Sequence, residues 1–145
     1  MNWFLYQNIL IPIFVALIVN YLIFSYGWNK VYKKKQVNPL LPPGYIVGLI
    51  WMILFGILGY VHYRLYKLNN KSNIATIYII LFIIFCLAYP FLTNGLEEKK
   101  VLLLNLITLI LAFILSLIVI TYSRDIFYYL IPLLLWATYV NIIYS

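Results

Sequence analysis

Gly44-Tyr45-Ile46-Val47-Gly48-Leu49-Ile50-Trp51-Met52-Ile53-Leu54-Phe55-Gly56-Ile57-Leu58-Gly59-Tyr60-Val61-His62-Tyr63 runs for twenty residues without an Asp, Glu, Lys or Arg. At 1.5 Å per residue, a helix of that length crosses the ~30 Å hydrocarbon core of a bilayer. Lipid cannot satisfy bare backbone, and a strand of a membrane barrel needs only about 9–11 residues, so the run reads as a helix. Four similar runs flank it. The spans are predicted near Ile9–Trp28, Gly44–Leu65, Ile74–Leu92, Val101–Tyr122 and Ile126–Tyr144. The expected fold is an all-α integral membrane protein, a five-transmembrane-helix bundle forming one domain over residues 1–145.

Composition leads to the same place. Hydrophobic residues make up 66% of the 145 and charged residues 9%, against roughly 45–50% and about 25% in soluble domains. Ten Lys and Arg face only Glu97, Glu98 and Asp125, giving a net charge of +7. The basic residues sit at the ends of apolar runs, where they meet lipid headgroups. No basic stripe interleaves with aromatics, which excludes a nucleic-acid partner. Cys86 is the only cysteine, so no intrachain disulfide forms, and in mid-membrane it serves as a small buried hydrophobe. Met1–Asn8 carries no basic side chain and no Ala-x-Ala-like cleavage site follows. The first span is therefore expected to be a retained helix rather than a signal peptide.

The connections carry turn chemistry. Lys30–Gln36 is basic, and Asn38-Pro39-Leu40-Leu41-Pro42-Pro43-Gly44 cannot continue a helix. Asn69-Asn70-Lys71-Ser72-Asn73 forms the second loop, with Asn73 or Ser72 as N-cap. Thr93-Asn94-Gly95 ends the third span, and Ser123-Arg124-Asp125 is a minimal turn in which Asp125 is expected to cap the fifth. Pro132 lies inside that last helix and is expected to kink it by crowding the carbonyl of Tyr128. No internal repeat supports an inverted-repeat transporter. Tyr and Trp crowd the helix ends as an interfacial belt, but Trp51 and Trp136 sit deeper.

Chemistry-bearing residues are sparse. Glu97 and Glu98 are adjacent in a loop, and His62 has no Cys, Asp or Glu at a ligand-like spacing, so catalysis and a metal site are not expected. A single axial bond from His62 to a haem iron is the most that residue offers. A channel would want polar groups along a path, and the helix interiors supply almost none. The strongest intramembrane polar groups are Asn20 and Asn105, each suited either to an interhelical hydrogen bond of roughly 0.6 kcal/mol or to a ligand. Gly56-x-x-Gly59 and Ala112-x-x-x-Ser116 permit close helix approach, with packing inside the chain as the default.

Pro42, Pro43, Tyr45, Gly48, Trp51, Leu54, Phe55 and Gly59 fill in register a pattern that closely resembles the second-helix signature of the TspO/MBR family. These are the tryptophan-rich sensory proteins and the mitochondrial translocator protein, or peripheral benzodiazepine receptor. Pro132 with Trp136 and Tyr139 resembles the family's fifth-helix motif, Tyr89-Pro90 resembles its Trp-Pro end of the third helix, and Asn105 falls where the family often carries Asp or Asn. There are departures. Leu40-Leu41 replace the Trp before Pro-Pro, and Phe82 and Cys86 stand where the family has Gln and Asn. Asn141 comes too early for the usual Leu-Asn, and no Lys or Arg follows Arg124 to complete a C-terminal cholesterol motif.

The resemblance implies a receptor or translocator that binds porphyrins such as protoporphyrin IX, and sterols or benzodiazepine-type ligands. The pocket would lie between the first, second and fifth helices under the first loop, lined by Trp51, Phe55, Tyr89, Asn105, Trp136 and Tyr139. It implies no required cofactor, a homodimer, and a mitochondrial outer membrane or bacterial membrane as location. The alternative is a structural or assembly subunit of a membrane complex without a ligand pocket.

An odd number of spans puts the termini on opposite sides. Six basic residues on the face of the first loop, third loop and C-terminus, against four on the other, place the C-terminus in the cytosol. Tags at each end of the protein in intact cells should show opposite accessibility with the C-terminal tag protected; two tags on one side would contradict five spans.

Overall fold

The computed structural model describes residues 3–26, 44–93 and 98–144. The Lys30–Gln36 loop, the Pro42-Pro43 pair, Trp28 and the Asn94–Glu97 turn lie outside the described residues. The elements are α1 (Trp3–Tyr26), α2 (Gly44–Asn69), α3 (Ile74–Thr93) and α4 (Glu98–Tyr122). The fifth span is α5 (Arg124–Phe127), a 3-10 turn at Tyr128–Leu130 and α6 (Ile131–Tyr144). All five spans are long and apolar enough to cross a membrane. Large apolar side chains such as Leu49, Leu81, Leu117 and Ile142 are more than half exposed on the outside of the bundle. Hydrocarbon, not water, is the solvent that suits such a surface.

Four of the spans interlock through stripes at the same 3–4 spacing. Leu54, Leu58, Val61 and Leu65 on α2 meet Ala75, Ile79, Phe82 and Cys86 on α3, Ala112, Leu115 and Val119 on α4, and Ile126, Leu130 and Leu133 on the fifth span. This is the spacing that keeps a narrow seam facing its neighbours. Ala112 and Ser116 are both buried, and the Ser116 hydroxyl donates to Ala112 O at 2.9 Å, so this small-residue pair serves packing inside the chain. Tyr78 ties α3 to α4 by donating to Leu111 O at 2.9 Å.

α1 is different. It buries only Ala16, Val19 and Ile23 and rests on α2, with a lesser contact to α3. Glycines on α2 set its position. A Cβ on Gly59 would stand 1.8 Å from Asn8 O, and one on Gly56 3.0 Å from the end of Ile13. Asn8 O is the carbonyl to which residue 12 of α1 would donate, but residue 12 is Pro and has no N–H. The freed carbonyl abuts the Cα of Gly59, where a Cα–H···O contact adds a small attraction. The helices meet backbone to backbone there, as the Gly56-x-x-Gly59 spacing anticipates.

Helix ends depart from expectation in places. α1 begins at Trp3, six residues before Ile9, because Asn8 does not break the helix: its Nδ2 donates to Phe4 O at 2.8 Å. α2 runs on to Asn69 and stops where Asn70 takes φ 54°, the left-handed region that Asn tolerates. Asn73 is the N-cap of α3. Its Oδ1 accepts from Thr76 N at 2.9 Å while its own N–H donates to Thr76 Oγ1 at 2.8 Å, a reciprocal box.

The cap of the fifth span is Ser123, not Asp125. Ser123 has the extended backbone of a cap (φ −163°, ψ 125°), and its hydroxyl accepts from Ile126 N at 3.4 Å. Asp125 falls in the first turn, where its charge still complements the helix dipole. The expected disturbance at Pro132 takes a definite form. Tyr128 O loses its helical donor and accepts instead from Ile131 N, one residue earlier, which tightens the span into the 3-10 turn.

The Gly59 contact can be weighed directly. Gly59→Ala should destabilise the protein by roughly 1–3 kcal/mol, since backbone must shift to admit the methyl. Gly48→Ala, whose added Cβ would meet only the end of Asn20 at 3.1 Å, should cost less than about 1 kcal/mol. Thermal unfolding of the two variants in the same lipid or detergent decides; equal losses would contradict the backbone contact.

Candidate functional site

The cavity sits at the end of the bundle where α1 finishes and α2 begins. Val47, Gly48, Trp51 and Phe55 share one face of α2 and form its floor. α1 supplies Ala16, Val19, Asn20, Ile23 and Phe24, and α3 supplies Cys86, Leu87, Tyr89 and Pro90. The cavity volume is about 60 Å³. Trp51 and Phe55, one helical turn apart, pack with ring centroids 5.6 Å apart and planes tilted by 36°.

Polar groups punctuate this apolar wall. The side chain of Asn20 occupies the space left open by Gly48, 3.1 Å from where a Cβ would stand. Among the described residues its amide has no hydrogen-bond partner. Pro90 deprives the carbonyl of Cys86 of its helical donor. An unpaired amide in hydrocarbon is costly, about 1–3 kcal/mol judged by mutational data. A ligand with a polar edge can relieve that cost.

Three of the six residues expected to line a pocket, Trp51, Phe55 and Tyr89, meet at this cavity. Asn105 lies beside it. Tyr89 donates its hydroxyl proton to Asn105 Oδ1, and Asn141 Nδ2 donates to both Asn105 O at 3.0 Å and Ala137 O at 2.8 Å. This network joins α3, α4 and α6. Asn105 is 5% exposed, and its Nδ2 has no partner. Asn141, too early for the family's usual Leu-Asn position, thus finds a role as a tether.

Trp136 and Tyr139 lie elsewhere. They stack at 5.8 Å and line a separate groove of about 450 Å³ between α2 and α6, with Ile50, Ile53, Leu54, Ile57, Pro132 and Leu135. This groove lies beside Pro132, and Trp51 does not line it. Residues 50, 53, 54 and 57 form one stripe of α2 and residues 47, 48, 51 and 55 another, because successive residues turn by 100°. The pocket expected between the first, second and fifth helices therefore divides into two hollows, and α3 rather than α6 completes the one that holds Trp51. The Trp136 indole N–H is buried without a partner.

Asn20, Cys86 and Pro90 complete the cavity wall and were not among the expected lining residues. Asn20 stands out in the sequence as an intramembrane amide, Pro90 as the partner of Tyr89, and Cys86 as standing, with Phe82, where the resemblance puts the family's pocket-facing Gln and Asn. Among the described residues no group of three or more His, Cys, Asp or Glu could hold a metal ion.

The TspO/MBR family model matches residues 8–144, from the first turns of α1 to the end of α6. No curated protein and no solved structure matches the chain. The match covers all five spans, including the glycine-lined second helix with Trp51 and the Pro132–Trp136 segment of the fifth. The chain belongs to the TspO/MBR family.

Proposed function

We propose that the protein is a membrane receptor or translocator that binds a flat, largely apolar ligand of the porphyrin class, such as protoporphyrin IX, against Trp51, Phe55 and Tyr89. Membership of a binding and transport family supports a binding role over catalysis. The observation that carries the reading is the unpaired Asn20 amide in the wall of an aromatic cavity. A ligand with a polar edge would supply the partner that this amide lacks among the described residues. The family also supports sterols and benzodiazepine-type molecules as further ligands, and assembly as a homodimer.

Ligand pockets usually enclose ~300–1,000 Å³, so a cavity of about 60 Å³ must widen to accept a tetrapyrrole. α1 is the wall suited to move. It is held backbone to backbone at Gly59, near its start, and presents only Ala16, Val19 and Ile23 as buried residues further along. Tilting about the Gly59 contact opens the far end, where the cavity lies, without breaking the four-span core. The small volume favours the second reading, a structural subunit whose aromatics stay packed, and binding measurements separate the two.

Protoporphyrin IX added to the protein in lipid should quench tryptophan fluorescence saturably. Trp51→Phe keeps most of the bulk but removes the N–H, and should weaken binding by roughly 1 kcal/mol, about fivefold, with thermal stability preserved. No saturable quenching in wild type would favour the structural subunit; reduced stability with unchanged affinity would make Trp51 a packing residue. Trp136→Phe should leave the stability of the ligand-free protein within about 1 kcal/mol of wild type, because the N–H it removes has no partner to lose. A larger loss on thermal unfolding would show that the indole makes a bond.

A further inference from the structure

At the opposite end of the bundle, where α1 begins, a groove of about 410 Å³ between α1 and α3 is lined by Phe4, Gly59, His62 and Leu87 among others. The same end of α2 carries two cations set among aromatic rings. Arg64 stands five residues before the end of α2, about 8 Å at 1.5 Å per residue, and Lys67 follows three residues later. A basic side chain near the end of a span usually extends toward water. Arg64 instead turns back along the helix: its Nη1 donates to Tyr60 Oη at 2.9 Å, and its guanidinium carbon lies 5.7 Å from the centroid of that ring. Tyr60 is on the preceding turn, nearer the bilayer centre, and is itself braced edge-on against Tyr129 at 5.1 Å. The Lys67 ammonium lies 5.8 Å from the Phe4 ring centroid and 6.0 Å from that of Tyr63, and the Tyr60 and Tyr63 rings are 6.4 Å apart.

No anion answers these charges within the chain. Among the described residues neither Arg64 nor Lys67 makes an ion pair, and Asp125, the one described carboxylate at this end, is exposed and pairs with neither. Like charges three residues apart share a helix face and repel. A guanidinium has five N–H donors in a planar fork, and tyrosine hydroxyls occupy only part of it. It is therefore a positioned, unneutralised cation at the depth where hydrocarbon gives way to headgroups, and the anion found at that depth is a lipid phosphate. Lys71 and Arg124 at the same end leave four basic residues against Asp125. A headgroup bearing its own ammonium would add one more cation, so charge complementarity selects a phospholipid of net negative charge.

We propose that Arg64, Lys67 and Tyr60 form a headgroup site for an anionic phospholipid, its phosphate bonded by the Arg64 guanidinium and attracted by the Lys67 ammonium. The site is separate from the Trp51 cavity and independent of the porphyrin reading.

The test titrates phosphatidylglycerol or phosphatidylcholine into the full chain in detergent micelles and follows bound lipid by native mass spectrometry, with thermal unfolding measured before lipid is added. Phosphatidylglycerol should bind about tenfold more tightly than phosphatidylcholine, and Arg64→Gln should remove that preference. Arg64→Lys keeps the charge but not the fork, and should lose most of it. Lys67→Gln should weaken phosphatidylglycerol about threefold, whereas Lys71→Gln, an equal change in net charge beyond the end of α2, should stay within twofold of wild type. Tyr60→Phe keeps the ring, releases the guanidinium and should cost about threefold, which tests the site even if Arg64→Gln folds poorly. Equal binding of the two lipids, or equal losses in Lys67→Gln and Lys71→Gln, would overturn the site in favour of general charge attraction. Full binding in Arg64→Lys would overturn the role of the fork, and displacement of the lipid by an equal concentration of inorganic phosphate would overturn the lipid as occupant. A lower unfolding temperature in Arg64→Gln with the lipid preference intact would make Arg64 a structural residue.

Discussion

The carbonyl of Asn8, left without its helical donor by Pro12, rests against the Cα of Gly59. In water such a carbonyl would be solvated, and α1 could lie anywhere along α2. In hydrocarbon there is no water to donate to it, and the freed oxygen rests where Gly59 leaves the backbone of α2 accessible. Asn8 reinforces the position with its side chain, bonded to His62. α1 buries few residues fully, yet it packs closely along α2. The backbone contact at Gly59 and the Asn8–His62 bond fix its position near one end.

The three intrahelical prolines are each answered differently. Pro12 frees Asn8 O for an interhelical approach. Pro132 frees Tyr128 O, which takes Ile131 N–H instead and tightens one turn of the fifth span. Pro90 frees Cys86 O at the wall of the Trp51 cavity, beside the unpaired Asn20 amide. Two of the three vacancies are met within the chain, through contact with α2 and through a tighter turn. The third borders the hollow that the proposed ligand would enter.

The spans were legible because composition alone forces helices of membrane length, and the Pro-Pro to Gly59 pattern placed the second among them. Ends were less so. Asp125 and Ser123 are both good caps, and only backbone geometry selects Ser123. The site was half legible. Trp51, Phe55 and Tyr89 converge, but Trp136 and Tyr139 face another groove. In a soluble helix, polar residues would reveal which stripe faces inward. Here the lipid face is as apolar as the core, so Ile53 and Leu54 read alike although Ile53 is 58% exposed and Leu54 3%. Periodicity could not say which stripe of α2 meets α1 and which meets α6.

Leu87 lines both the Trp51 cavity and the His62 groove, and α1 forms a wall of each. The two hollows lie on one seam between α1 and α3, one toward each end, with the Gly59 contact nearer the groove. A rigid helix turning about that contact moves little at Asn8 and most at Asn20 and Ile23, simply because the latter lie 12 or more residues away, about 18 Å at 1.5 Å per residue. A tilt of given angle therefore enlarges the cavity far more than it disturbs the Asn8–His62 bond. Lever length alone lets the polar contact that positions α1 survive the opening that a large ligand requires.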